Sequence, residues 1–150
     1  MLKKLVAVAL LGSTLAVVGC QSVPDSTTST NLTILQNKTW VATKIGNSAI
    51  ITNPTERNIP SLQFDEATQR VSGSDGCNRI MGGYKAGKDT ITFDQLATTQ
   101  MACMNNANID QLFNTALSKV TNYQAFGKTL KLLDRNGNSL IEFESAVQPR

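Results

Sequence analysis

The stretch NYQAFGKTLKLLDRNGNSLIEFES, residues 122–145, combines two turn signals with alternating apolar residues and thereby decides the fold. Asn136-Gly137 is the strongest short signal of a β-hairpin and favours a two-residue type I′ loop. A loop of that length fixes the register of its two strands. The predicted cross-strand pairs are Leu133 with Leu140, Leu132 with Ile141, Lys131 with Glu142, and Leu130 with Phe143.

A second tight turn is predicted upstream, at Gly127-Lys128. It would place Tyr123 against Leu132 and Ala125 against Leu130 in a three-stranded meander. One face of that meander then collects the apolar side chains of Tyr123, Ala125, Leu130, Leu132, Ile141 and Phe143. We expect this face to form part of the core.

An amphipathic helix is predicted just before the meander. Its apolar stripe follows the helical period through Ile109, Leu112, Phe113, Ala116, Leu117 and Val120. Asn108 is a suitable N-cap, and Gln111 stands three residues later as a capping-box partner. We expect the stripe to pack on the sheet.

Earlier segments suggest further strands. The candidates are residues 40–45, 61–64, 70–74, 82–85 and 90–93, and residues 47–60 are predicted to form a loop. The sequence therefore predicts a β-rich α+β fold. We expect a curved antiparallel sheet or partial barrel of about eight strands packed on one helix.

The N-terminus has the pattern of a secretory leader. Two lysines precede an apolar stretch of fourteen residues, 5–18, which is shorter than the roughly twenty residues of a membrane span. The stretch ends in Val17-Val18-Gly19-Cys20, which resembles a bacterial lipobox. We predict a signal peptide over residues 1–19 and lipidation of Cys20. A plain signal peptide with an incidental cysteine is the alternative.

Residues 20–34 are predicted to form the lipidated N-terminus and a flexible tether, because residues 21–31 contain one apolar side chain and no periodicity. The folded domain is expected over residues 35–145, followed by a tail over 146–150. By resemblance to Gram-negative lipoproteins, Gln21 is not the aspartate that favours the inner membrane. We therefore expect a lipid-anchored position in the outer membrane, facing the periplasm.

Charge argues against a nucleic-acid partner. The whole chain has fourteen basic and eleven acidic side chains. Removing Lys3 and Lys4 with the leader leaves twelve basic and eleven acidic side chains, a net charge of +1. No basic patch of the kind that binds nucleic acid is present in the sequence.

Cys77 and Cys103 admit several interpretations. An oxidising compartment, which the leader implies, favours a disulfide. A zinc site needs about four ligands, and the chain has no histidine and no Cys-x-x-Cys. A catalytic thiol needs a nearby base, usually histidine. Unpaired buried thiols are the remaining possibility.

Two motifs surround the cysteines. The first is Gly76-Cys77-Asn78-Arg79, followed by Gly82 and Tyr84, and the second contains Thr99, Met101, Ala102 and Cys103. These motifs resemble those of the META domain family, the HslJ-like group of bacterial envelope proteins. Trp40 and the closing hairpin also fit the family. Ile80 stands where an aromatic residue is expected, and Gln100 where arginine is frequent.

The resemblance implies a β-rich fold with one helix and a disulfide between Cys77 and Cys103. It also implies association with envelope stress, secretion or virulence, and it brings no catalytic residues, metal or cofactor. The favoured function is a non-catalytic outer-membrane lipoprotein that supports envelope integrity or the stress response. The alternatives are a pilotin-like adaptor for an envelope protein, a carrier of a small hydrophobic ligand and, least favoured, an enzyme.

Overall fold

The computed structural model describes residues 26–51, 59–104 and 107–146, with the side chains of 26–29 excluded. The predicted signal peptide, Cys20 and residues 147–150 of the predicted tail lie outside the described residues. Within the described part, the elements are α1 (Ser26–Leu35), β1 (Thr39–Ile45), β2 (Ser48–Ala49), β3 (Ser61–Asp65), β4 (Arg70–Ser74), β5 (Arg79–Ala86), β6 (Ile91–Thr98), α2 (Ile109–Leu117), β7 (Asn122–Phe126), β8 (Thr129–Leu133) and β9 (Ser139–Ser145).

Eight strands form one curled antiparallel half-barrel in the order β6-β5-β4-β3-β1-β9-β8-β7, and the short β2 pairs with β1. The two edge strands approach each other at one point, where Thr90 bridges Asn122. The Ile91 N–H donates to the Thr121 carbonyl at 3.0 Å beside that bridge. The predicted β-rich fold is confirmed, with a second helix that was not predicted.

The register of the C-terminal meander is confirmed for most of its length. Leu132 faces Ile141, Lys131 faces Glu142, and Leu130 faces Phe143. The Gly127 turn also sets the predicted pairs between β7 and β8. The Lys131 Nζ lies 3.6 Å from Glu142 Oε1, which completes the expected cross-strand ion pair.

The predicted type I′ loop at Asn136-Gly137 is wrong. Gly137 has φ 84°, but Asn136 is not among the residues with positive φ that a type I′ turn requires. The Asp134 carboxylate instead accepts the N–H groups of Asn136 (2.8 Å) and Asn138 (2.9 Å). This side-chain bonding lengthens the turn, so a bulge places Leu133 opposite Ser139 rather than Leu140.

Large side chains fill the space between the curled sheet and the helices. The largest fully buried residues include Trp40, Phe64, Tyr84, Phe113, Tyr123 and Phe143. Phe113 of α2 meets Phe143 of β9 edge to face, with ring centroids 6.1 Å apart. All six residues of the predicted meander face are buried, as expected.

Helix α2 corresponds to the predicted amphipathic helix, with two corrections. It buries Phe113, Ala116 and Leu117, but Leu112 is 52% exposed. Asn108 precedes the helix in a left-handed conformation, and its side chain makes no capping hydrogen bond. The capping-box prediction is therefore wrong. The helix ends at Leu117, three residues before Val120, but Val120 is still buried in the core and Ile109 packs against it, so only Leu112 departs from the predicted apolar stripe.

Helix α1 corrects the prediction of a flexible tether over residues 20–34 for its helical part. Its last residue, Leu35, is fully buried, and the Leu35 carbonyl accepts the Trp40 indole N–H at 2.8 Å. The Asn31 side chain donates to the Lys88 carbonyl at 2.9 Å. These tertiary contacts stabilise a helix whose largely polar sequence would not be helical by itself. Neither helix that the structure describes is long and apolar enough to span a membrane.

Strands β5 and β6 are both longer than predicted. β6 continues to Thr98, and its pairing with β5 shifts register between Met81 and Gly83. Gln95, in β6 at this shift, has φ 48°. A Cβ on Gly82 would lie 2.8 Å from Leu96 Cδ2 and 3.0 Å from the Asp94 carbonyl oxygen. The bulge therefore needs a glycine beside it, which gives a structural reason for Gly82.

Gly73 leaves no room for a side chain, and it provides a stability test. A Cβ there would overlap the backbone carbonyl oxygen of Ser61 in β3. We predict that Gly73→Ala lowers the free energy of unfolding by about 3 kcal/mol, since backbone must shift to relieve the overlap. Urea unfolding followed by circular dichroism measures this loss.

Gly83→Ala is the matched control, because a Cβ at Gly83 would lie 3.6 Å from its nearest neighbour, Asp94 Cβ. Equal stabilities of the two variants would contradict the close approach at Gly73.

Candidate functional site

The sequence-predicted motif residues meet mainly at one end of the half-barrel. The turn between β4 and β5 lies against the segment that follows β6, and Cys77 is joined there to Cys103. Their Cα atoms are 5.8 Å apart, and 26 residues separate them in sequence. On the chain-entropy model, closing a loop of that length contributes about 3.5 kcal/mol to stability. The structure thus has the disulfide that the resemblance implied.

Asp75 organises the β4–β5 turn. Its side chain is fully buried. Its Oδ1 accepts the backbone N–H groups of Cys77 at 2.9 Å and Asn78 at 2.6 Å. Its Oδ2 accepts the Asn114 amide of α2 at 2.7 Å and lies 3.4 Å from the Asn78 amide. One carboxylate therefore shapes the cysteine turn and ties it to the helix.

Sequence reasoning missed Asp75. The available signal was the aspartate two residues before Cys77, a spacing at which the carboxylate can accept N–H groups of its own turn. Nothing in the sequence indicated Asn114, because its contact with Asp75 depends on how α2 packs.

Asn78 and Thr99 join the two segments without covalent chemistry. Asn78 Oδ1 accepts the Met101 N–H at 2.6 Å. Thr99 Oγ1 accepts the Arg79 N–H at 3.0 Å, and the Thr99 N–H donates to the Arg79 carbonyl at 3.1 Å. The backbone of Arg79 thus supports the motif, while its side chain is exposed.

Gly76 fits the turn for two reasons. Its φ of 97° is one that residues with side chains rarely adopt. A Cβ there would also lie 3.2 Å from both Ile109 and Pro60. Gly76 therefore allows Ile109 of α2 and Pro60, the residue before β3, to pack against the turn.

Tyr84 lies at the far end of β5, away from the cysteines. Its hydroxyl accepts the Gln36 amide at 2.8 Å and donates to the Asp65 carbonyl at 3.2 Å. Its ring meets Phe64 edge to face at 5.1 Å. Burial raises the pKa of the Tyr84 hydroxyl above its ordinary value, although the Gln36 hydrogen bond opposes this. The motif tyrosine therefore supports the core and the docking of α1.

A family model supports the assignment that the disulfide and its surroundings suggest: the META domain model matches residues 32–147. The chain belongs to the META domain family. No curated protein matches it significantly.

Solved structures share this META fold. An NMR structure of a protein from Burkholderia xenovorans has 23% identity and a TM-score of 0.60, covering 94% of this chain and 100% of its own. A second NMR structure has 25% identity and a TM-score of 0.59, covering 73% and 90%. A crystal structure of a DUF4847 family protein from Bacteroides vulgatus has 20% identity and a TM-score of 0.55, covering 78% and 98%.

In this META domain, the disulfide and the hydrogen bonds of Asp75, Asn78 and Thr99 hold together the β4–β5 turn, the segment after β6 and α2. We call this arrangement the clamp. Both oxygens of Asp75 accept protein donors, and both cysteine sulfurs are bonded to each other. Within the described residues, no three histidine, cysteine or acidic side chains are grouped as metal ligands. The outward surface of the clamp mixes apolar and polar side chains: Met101 and Met104 are 60% and 91% exposed, and Arg79 is exposed beside them.

Two surface cavities lie at the β8–β9 turn of the META domain. Their volumes are about 290 and 540 Å³, and both are lined in part by Asp134, Arg135 and Asn136. The smaller cavity is completed by residues of β7 and by Asp89, and the larger by Ser118, Lys119 and Thr121, which follow α2. Neither has the apolar lining that a carrier of a hydrophobic ligand needs.

The clamp predicts a specific effect of Asp75→Asn. Asp75 Oδ2 now accepts from the side-chain amides of Asn78 and Asn114. In the variant, an NH₂ group would replace that oxygen, so buried donors would face each other without an acceptor. We predict a loss of about 2–3 kcal/mol in the free energy of unfolding, measured in urea with the disulfide intact.

Asp65→Asn is the matched control. Asp65 Oδ1 accepts the Thr68 N–H and hydroxyl, each at 2.7 Å, and the side chain is exposed. An asparagine oxygen can accept the same two bonds. A loss for Asp75→Asn no larger than for Asp65→Asn would refute the clamp.

Proposed function

We propose that the protein is a non-catalytic outer-membrane lipoprotein, anchored through lipid on Cys20 and facing the periplasm. Its META domain supports envelope integrity or the envelope stress response. The observation that carries the proposal is the Cys77–Cys103 disulfide. Disulfides persist in oxidising compartments such as the periplasm, which is where the leader and its lipobox would deliver the chain.

The chemistry of the motif supports a non-catalytic role. Asp75, Asn78 and Thr99 are engaged in hydrogen bonds that hold the disulfide end together. A general base needs a lone pair that it can offer to a substrate, and both Asp75 oxygens already face protein donors. The motif residues therefore stabilise the fold that the anchor would carry.

The anchor is tested with Cys20→Ser. We predict that this variant loses lipid labelling and leaves the membrane fraction, either released or as an uncleaved precursor. Fractionation of cells grown with labelled palmitate measures both properties. Unchanged labelling and fractionation would contradict the anchor.

Gln21→Asp is the matched control, since it preserves Cys20. We expect that variant to keep its lipid and to shift from the outer to the inner membrane.

An adaptor function is the second candidate, and one observation favours it. Met101, Met104 and Leu112 are 60%, 91% and 52% exposed on the segment and helix that the clamp joins. Methionine side chains are flexible and adapt to apolar partners. No comparable observation favours a carrier, because large side chains fill the described interior.

The adaptor is tested by photocrosslinking in cells. A photoreactive residue in place of Met104 should give a discrete adduct with an envelope protein. The same residue in place of Thr68 is the control, because Thr68 lies in the exposed β3–β4 turn at the opposite end of β4. Absence of an adduct specific to Met104 would count against the adaptor.

A further inference from the structure

We infer that the end of the half-barrel opposite the disulfide lies on the membrane, with Phe126 inserted at the lipid–water interface. This inference rests on the proposed lipid anchor and specifies how the anchored domain is oriented. The partner surface is a phospholipid bilayer. The argument uses the ends of the strands, the length of chain before α1, and the exposure of Phe126.

The strand order defines two ends of the half-barrel. β4 runs from Arg70 to Ser74, and the cysteine turn follows Ser74. The other end carries the β3–β4, β5–β6 and β7–β8 turns, because β4 starts there and the antiparallel strands alternate in direction. Thr129, the first residue of β8, pairs with Glu144, which also pairs with Val41 near the start of β1. We call this the α1 end.

Helix α1 lies at the α1 end. Its Asn31 side chain donates to the Lys88 carbonyl in the β5–β6 turn at 2.9 Å. The helix also packs against β7, whose last residue is Phe126. The chain therefore enters the domain at the α1 end, where α1 contacts the β5–β6 turn and β7.

Docking of α1 shortens the connection to the proposed anchor. Because the helix begins at Ser26, five residues, 21–25, separate it from Cys20. The six Cα–Cα steps from Cys20 to Ser26 span at most about 22 Å when fully extended. A lipid on Cys20 would thus keep the start of α1, and with it the α1 end, close to the bilayer.

Phe126 has the exposure that this orientation predicts. Its side chain is 86% exposed, although Tyr123 and Ala125 in the same strand are buried. The tight turn at Gly127, with φ 56°, projects it beside the exposed Lys128. An aromatic ring next to a lysine suits the interface, where the ring enters the acyl boundary and the amine meets phosphate.

The acidic side chains of the neighbouring β3–β4 turn are engaged within the protein. Asp65 accepts hydrogen bonds from Thr68, and Glu66 accepts the Asn37 amide at 3.0 Å. Bonds to Thr68 hold the pKa of Asp65 below its ordinary value, so it stays charged near neutral pH. These carboxylates keep their negative charge, so net charge does not draw this end to an anionic bilayer, and the contact is expected to depend on burial of the Phe126 ring.

The test places a tryptophan at the proposed contact in the full-length lipidated protein. Phe126→Trp is reconstituted into vesicles of phosphatidylethanolamine and phosphatidylglycerol, with or without bromine on the acyl chains. Bromine quenches nearby indoles. The native Trp40 is fully buried and gives a common background. We expect brominated lipid to reduce the added emission about twofold or more, because tryptophan partitions to the interface.

Met104→Trp is the matched control, since Met104 is 91% exposed and follows Cys103 at the disulfide end. Its added emission should be the same in both kinds of vesicle. Thermal melts of both variants should equal that of the natural protein, because both positions are exposed.

The outcomes separate this inference from the proposed function. Flotation with the vesicles together with an unquenched Trp at 126 keeps the anchor and overturns the orientation; it would assign Phe126 to a protein partner instead. Quenching at 104 rather than 126 overturns the orientation and would place the disulfide end on the membrane. Failure of the lipidated preparation to float overturns both.

Discussion

A carboxylate that is removed from water must have its charge met by hydrogen-bond donors, or folding becomes costly. The structure surrounds the buried Asp75 with four donors: two backbone N–H groups and the amides of Asn78 and Asn114. Two of those donors shape the cysteine turn, and one belongs to α2. The position of Cys77, the path of the segment after β6 and the docking of the helix therefore all depend on Asp75.

The disulfide and the hydrogen bonds contribute differently to this end. The covalent link restricts the conformations of the unfolded chain, so in the chain-entropy account its contribution is entropic. Asp75, Asn78 and Thr99 fix the geometry of the folded state. A reduced protein would thus keep the hydrogen bonds that shape the turn. It would lose a large share of its free energy of unfolding, which for a domain is typically about 5–15 kcal/mol. In this chain, a covalent link and a hydrogen-bond network therefore stabilise the same site.

Local signals predicted what local physics determines. Alternation and a glycine turn placed Tyr123 opposite Leu132, because strand register follows from turn length and a buried face. The same reasoning failed at Asn136-Gly137, where the Asp134 side chain competes for the N–H groups of the turn. The loop could be anticipated, but its type depended on one carboxylate outside the dipeptide.

Features that depend on tertiary contact could not be predicted in this way. Helix α1 has a largely polar sequence and forms against β7 and the β5–β6 turn, a surface made by residues far downstream, as in the contact of Asn31 with Lys88, 57 positions later. Asn114 gave no signal, since an asparagine in a helix points to no particular partner. The family motif located the cysteines and Asn78, yet it left out the aspartate between them and β4.

The bulge at Gln95 has a consequence for the behaviour of many copies together. β6 is an edge strand, and an extended edge offers unpaired N–H and carbonyl groups to any passing strand. The left-handed Gln95 breaks that regular spacing in the middle of the edge. Proteins confined to a surface meet each other far more often than proteins in free solution. With the proposed lipid anchor, copies of this domain would share one surface, and the irregular edge of β6 would then oppose edge-to-edge pairing between them.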